Sequence, residues 1–275
     1  MTERNLLTDP CWSAKDLGEP LPSRPHAVSV ALPRWKDIVA YEEKDPACIN
    51  SLKAIYPRFG FHPFVAELAK KSLAFHGDSH QSSWPYPNIA SALSAQKHCH
   101  RNNSECSSKI KDFLGIPCLI VDQRSTPFAK AFWQHTGLGL SSREAAIALG
   151  REKATSSSNG HCARDQILYR LAKIYNCDCS LIRLHRSGMA ALTTILTAIK
   201  CIKGNNSTLQ IGFPYVDVLK LPQIIFQGSD LIVKTKLSHI EEELDKKDPA
   251  AIIIEVPSNP LLQCVDLVSI SKLAQ

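Results

Sequence analysis

Three stretches of this chain carry residue types that could hold a ligand. The first is Arg186-Ser187-Gly188-Met189. Gly188 lets the backbone come close to a phosphate, Ser187 adds a hydroxyl donor, and Ala190 and Ala191 open a helix free of bulky side chains. The unpaired N–H groups and positive dipole end of such a helix favour an anion, although Ser-Gly before a helix is more often a plain cap. The second stretch, Glu255-Val256-Pro257-Ser258-Asn259-Pro260, leaves a very apolar segment. It turns where a strand would end, which is where ligands collect in open α/β sheets; its other reading is a proline-rich turn. In the third, Tyr56 and Arg58 stand two apart on a proline-stiffened segment. A guanidinium and a phenol there could share a phosphate, or form a surface packing pair.

Other groupings carry less. His98-Cys99-His100 with Cys106 could offer soft ligands, but the spacing matches no common zinc module, and no metal is expected. Cys177 and Cys179 are one residue too close for a Cys-x-x-Cys redox pair. No Gly-x-Ser-x-Gly occurs, and Gly137-Leu138-Gly139 lacks the third glycine of a dinucleotide fingerprint. Hydrolase and dinucleotide chemistries are therefore disfavoured.

These groups need a frame to position them. Pro10, Pro20, Pro22, Pro25 and Pro33 deny regular ladders and helices to residues 1–34, which are predicted to form an extended N-terminal arm. Helical spacing recurs over 35–41, 49–55 and 64–74, with a proline-bounded loop at 56–63. Residues 76–108 are polar and irregular and read as a surface excursion. A buried strand at 116–121 follows, then helices at 127–135 and 141–151, the latter capped by Ser141 or Ser142. Residues 155–160 read as a loop. The stretch 166–176 is an amphipathic helix with Ile167, Leu168, Leu171, Ile174 and Tyr175 on one face. Thereafter strands at 180–184, 208–212, 231–235 and 251–256 alternate with helices at 190–202, 219–226, 240–244 and 267–274. Such alternation predicts an α/β layer with a mostly parallel sheet and flanking helices. The predicted organisation is an arm at 1–34, an N-terminal helical region at 35–164, and an α/β region at 165–275.

Composition narrows the partners. With 44% hydrophobic and 21% charged residues among 275, the chain has an ordinary globular balance. The net charge of +6 is spread along the chain without a basic block, so neither nucleic acid nor a membrane surface is expected as a partner. Apolar runs near Ile252 and Leu119 are too short to span a bilayer. Ten cysteines without a secretory leader at residues 1–10 predict a reducing, cytoplasmic setting.

Taken together and in order, several motifs resemble the pyridoxal-phosphate enzymes of cysteine and methionine metabolism, the trans-sulfuration family. They are Ser187-Gly188-Met189-Ala190-Ala191, Gly212-Phe213-Pro214-Tyr215, and Glu255-Val256-Pro257-Ser258-Asn259-Pro260-Leu261-Leu262 followed by Val265-Asp266-Leu267. Upstream, residues 25–37, Tyr41-Glu42-Glu43 and Tyr56-Pro57-Arg58-Phe59 resemble the longer, fungal-type cystathionine gamma-synthases. Residues 76–164 match less clearly and would hold that group's extra segment.

The resemblance implies an aspartate-aminotransferase-like, fold-type I large domain, incomplete here, with 165–275 as the first part of its cofactor-binding half. It implies pyridoxal 5′-phosphate as cofactor, amino-acid substrates, and a homodimer or homotetramer. Ser187, Gly188 and Met189 would bind the cofactor phosphate, and Tyr56 and Arg58 would reach the phosphate of a neighbouring subunit. Tyr215 would stack on the pyridine ring, with Val216-Asp217 standing where the family has a small glycine pair. Glu255 and Asn259 would lie near the cofactor and substrate. The implied reaction is gamma-replacement on an O-acylated homoserine by cysteine, in methionine biosynthesis. The family's Schiff-base lysine and its pyridine-binding aspartate come after the Pro-Ser-Asn-Pro motif, beyond Gln275, so no catalytic lysine is assigned, and Lys272 has the wrong context. The alternative is a non-catalytic, truncated paralogue that serves as a binding or assembly module.

Overall fold

The computed structural model describes residues 4–56, 59–154, 160–204, 206–226, 228–259 and 261–274. The chain divides into two units, Met1–Gln134 with Gly139–Ala154, and His135–Leu138 with Thr155–Gln275.

In the first unit the arm folds back on itself. A 3-10 turn at Ala14–Asp16 precedes β1 (Pro20–Leu21) and β2 (Ser29–Val30), which pair antiparallel. Side chains hold what so short a ladder cannot. Arg4 donates to Asp16 Oδ1 at 2.7 Å and to Asp9 Oδ1 at 2.8 Å. His26 bonds Glu152 Oε1 at 2.8 Å and Ser142 Oγ at 3.0 Å. The Arg4 hydrogen bond, helped by the Ser13 amide, holds the Asp16 carboxyl down at about 2. A carboxyl depressed in the folded state stabilises above its unfolded value, roughly 3.9, and that contribution disappears as pH falls through the folded value. Amide exchange at residues 13–17 is therefore expected to accelerate between about pH 4 and pH 2, beyond the intrinsic change, and an Asp16→Asn chain should show no such window.

Helices α1 (Trp35–Glu42), α2 (Pro46–Ser51) and α3 (Pro63–His76) come next. Pro63 starts α3 at the position where its missing N–H costs nothing, and the His62 ring accepts from the Phe64 amide. Then come β3 (Gln81–Pro85), α4 (Ile89–Asn102), β4 (Ser108–Phe113), β5 (Ile116–Asp122), α5 (Thr126–Thr136) and α6 (Ser142–Ala148). The strands form an antiparallel sheet in the order β3-β5-β4, with Trp84 and Ile110 both opposite Leu119. Val65 and Leu68 of α3 bury against Cys118, Leu140 and Ala145. The predicted surface excursion at 76–108 is thus corrected: it supplies a strand and a 14-residue helix. Asn88 caps that helix through the Ser91 amide, and Ala92, Ala95 and Cys99 are fully buried along it.

The second unit contains α7 (Gly160–Tyr175), α8 (Gly188–Lys203), β6 (Thr208–Ile211), α9 (Val216–Ile225), β7 (Ser229–Ile232), α10 (Leu237–Leu244), β8 (Ile252–Ile254) and α11 (Leu267–Leu273). Its strands are parallel in the order β7-β6-β8. Parallel pairing requires crossovers, which α9 and α10 supply. Ile253 packs with Leu196, Leu221, Ile225 and Phe226, while Leu209 and Ile211 pack with Ile240 and Ile270. Helices therefore cover both faces, and every residue of the central β6 is buried.

Two expectations for this unit need correction. No strand forms at 180–184: a 3-10 turn at Cys179–Leu181, capped by Asp178, passes into irregular chain. Helix α7 forms, but Ile167, Ile174 and Tyr175 on its apolar face are exposed, and Ala172 is the buried residue it offers. Among the described residues no helix is long and apolar enough to cross a membrane.

Candidate functional site

The sequence of α8 sets its own first turn. Ser187 is extended at the N-cap and its Oγ accepts the Ala190 amide at 3.1 Å, while its carbonyl accepts the Ala191 amide at 3.0 Å. That leaves Gly188 and Met189, the first two amides, without an intrahelical acceptor. A Cβ added at Gly188 would meet nothing within 4 Å, so open space adjoins Gly188 on its side-chain side. The arrangement is receptive to an anion.

Tyr215 caps the next helix, α9, just past the end of β6. Its amide donates to Glu255 Oε2 at 2.7 Å, and Glu255 follows β8, the neighbour of β6 in the sheet. One oxygen of Glu255 is thereby engaged in a charge-assisted bond that holds the Tyr215 backbone. Asn259 is exposed, and the turn it lies in is closed by Ser258, whose Oγ accepts the Gln263 amide at 3.0 Å.

The two helix starts are tied together by three consecutive residues that the motifs did not single out. His135 Nδ1 lies 2.7 Å from Asp217 Oδ1 in the first turn of α9, with side-chain exposures of 10% and 3%. Thr136 accepts the Thr193 hydroxyl of α8 at 2.8 Å. Gly137, at φ +67°, lies so close to α8 that a Cβ there would stand 2.7 Å from Ser187 Oγ and 2.8 Å from the Ala190 nitrogen. The first turns of α8 and α9 therefore face the same end of the second unit, the one onto which β6 and β8 run out. A local signal existed in His135-Thr136-Gly137, a polar run closing an amphipathic helix, but its partner Asp217 lies 82 residues away.

Of the residues proposed from sequence, Ser187, Gly188, Met189, Tyr215 and Glu255 gather at this end, with Asn259 four residues past Glu255. Tyr56 belongs to the first unit, where its exposed ring lies 5.8 Å from that of Phe59. Arg58 lies outside the described residues. The cysteine and histidine cluster does not converge. His98 accepts from Arg101 at 3.2 Å and packs on Phe132, while His100 bonds Ser108 Oγ at 2.9 Å. Burial pushes the Cys99 thiol up to about 12, against the thiolate that zinc needs. Among the described residues no three potential ligands gather around one point.

Residues 64–141 match the N-terminal domain of fungal trans-sulfuration enzymes, mostly in the stretch read above as the weaker match. An L-2-amino-4-chloropent-4-enoate dechlorinase/desaturase of Streptantibioticus cattleyicolor is 26% identical over 93% of this chain and 53% of its own length. The cystathionine gamma-synthase of Neurospora crassa is 32% identical over 49% of this chain and 26% of its own. For a putative cystathionine gamma-synthase of Saccharomyces cerevisiae the figures are 29%, 50% and 24%. The chain spans about half the length of the first of these relatives and about a quarter of the other two. No solved structure is significantly similar.

Proposed function

We propose that this chain, similar to the fungal trans-sulfuration enzymes and cystathionine gamma-synthases of Cys/Met metabolism, serves a pyridoxal 5′-phosphate enzyme of cystathionine gamma-synthase type. The observation that carries this reading is the anion-receptive start of α8 set beside the tyrosine-capped start of α9 at one end of a parallel sheet. The residues present fit the cofactor. The Gly188 and Met189 amides and the Ser187 hydroxyl would hold its phosphate, and open space at Gly188 leaves room for one. Tyr215 would stack on the pyridine ring, with Glu255 keeping its backbone in place. Tyr56 and Arg58 would serve the phosphate of a neighbouring subunit in a fold-type I homodimer or homotetramer, and Asn259 would meet the amino-acid substrate. When bound, pyridoxal 5′-phosphate supplies an electron sink for reactions next to an amino group. The reaction proposed is replacement of the gamma substituent of an O-acylated homoserine by cysteine, in the cytoplasm.

The reading is tested by titrating the full chain with pyridoxal 5′-phosphate under equilibrium dialysis. Saturable binding that inorganic phosphate competes away is expected. Gly188→Asp leaves the fold intact, since its Cβ points into open space and a carboxylate suits a helix start. It places a negative charge beside the proposed phosphate seat, and two unit charges about 4 Å apart repel by roughly 1 kcal/mol in water and about 4 kcal/mol at an effective dielectric of 20. Affinity should fall about tenfold or more. No saturable binding by the wild-type chain would remove the reading, and binding indifferent to Gly188→Asp would remove the assignment of the phosphate to α8.

A further inference from the structure

The pair of His135 and Asp217 lies within the end of the second unit just described, yet the cofactor reading gives it no role. A buried ionisable pair is a weak source of stability, because desolvation offsets the attraction. What such a pair does well is fix one geometry. Here it is placed for that purpose. Asp217 sits in the first turn of α9, two residues past Tyr215, so the imidazole grips the helix where its direction sets the tyrosine. The next residue, Thr136, holds α8 through Thr193, and Gly137 lies against the α8 cap itself. Three successive residues thus grip two helix starts that are otherwise separated in sequence by β6 and its loops.

We propose that His135 is a positioning residue of the cofactor site: through Asp217 it fixes the start of α9, and so Tyr215, relative to the anion-receptive start of α8. The inference rests on the function proposed above, which names the ligand that the two helix starts share. The His135 Nδ1–H donates to the Asp217 carboxylate, and neither group touches the ligand. The pair sets the spacing between phosphate seat and aromatic ring.

The test uses the full chain, with His135→Ala and the conservative His135→Gln, which retains an N–H donor. In hydrogen–deuterium exchange, His135→Ala should accelerate the hydrogen-bonded amides of both helix starts, Ala190 and Ala191 together with Tyr215 and Leu219, by at least about tenfold, the equivalent of one lost hydrogen bond to a charged group. Amides of β6 at 208–211 should keep wild-type rates, and His135→Gln should restore most of the protection. Loosening of one helix start alone, or of the whole unit uniformly, overturns the proposal. A second readout is the visible circular dichroism of added pyridoxal 5′-phosphate at full occupancy by dialysis, which reports ring orientation and not affinity. His135→Ala should halve it or more, and an unchanged band overturns the positioning role. If the wild-type chain binds no pyridoxal 5′-phosphate, the proposed function fails, while the exchange pattern still decides whether His135 couples the two helix starts.

Discussion

Gly137→Ala should destabilise the second unit by about 2–5 kcal/mol and remove anion binding at α8. Two costs add. A non-glycine residue in the left-handed region costs roughly 1–2 kcal/mol, and Gly137 sits at φ +67°. Forcing a methyl into a packed contact costs about 1–3 kcal/mol more. The atoms it would meet are the Ser187 hydroxyl at 2.7 Å, the Ala190 nitrogen at 2.8 Å and the Met189 Cβ at 2.9 Å. The Ala190 nitrogen and the Met189 Cβ cannot rotate away and the Ser187 hydroxyl is held as the cap of α8, so relief must come from moving the α8 start. Gly115→Ala provides the control. That glycine, at φ +79°, has nothing within 4 Å of its added Cβ, so only the backbone cost applies. Denaturation of both variants, followed by far-ultraviolet circular dichroism, should place Gly137→Ala well beyond Gly115→Ala. Equal losses would mean that the close approach of residues 135–137 to α8 contributes nothing.

How far the sequence disclosed this arrangement depends on the range of the interaction. Ser187 as a cap, a strand at 208–212 and a helix overlapping 219–226 were legible because each is specified by neighbours in sequence: a hydroxyl three residues before its amide, or the local alternation of strand and helix patterns. The stretch 81–102 was illegible for a related reason. Its strand carries Ser82 and Ser83 and ends on Pro85, and its helix buries a seam of alanines and one cysteine. Small side chains pack well against a sheet but give little hydropathic contrast. Ser83 is satisfied through Ser72 at 3.2 Å, a partner on another element.

The missing strand at 180–184 and the exposed face of α7 fail in the opposite direction. There the local pattern is present, but a strand needs a partner and an amphipathic helix needs a surface, and neither is written in the segment itself. The candidate site divides along the same line. The proposed phosphate seat is a local motif. The link between Tyr215 and Glu255 spans 40 residues, and that between His135 and Asp217 spans 82. The resemblance to a family brought in Glu255 by motif, whereas His135 required the geometry.

Leu221→Ala is expected to cost about 2–5 kcal/mol, the range for emptying a fully buried leucine site. Leu221 has no exposed surface and packs with Leu196, Ile225, Phe226 and Ile253, so the cavity would open between α8, α9 and β8. In a structural unit of this size, unfolding temperature should fall by roughly 2–4 °C for each kcal/mol. Leu221 lies six residues after Tyr215, along the helix that Tyr215 caps. Helix α9 is thus anchored twice, at its start by Asp217 and along its body by Leu221. The two anchors predict different exchange patterns. Loss of the leucine lowers the protection of β6, α8 and α9 in step, because the core is shared; loss of His135 loosens the two helix starts and spares β6. If Leu221→Ala loosened only 215–219, the packed cluster would not be the element that holds α9 to the sheet, and the front anchor would have to carry the helix alone.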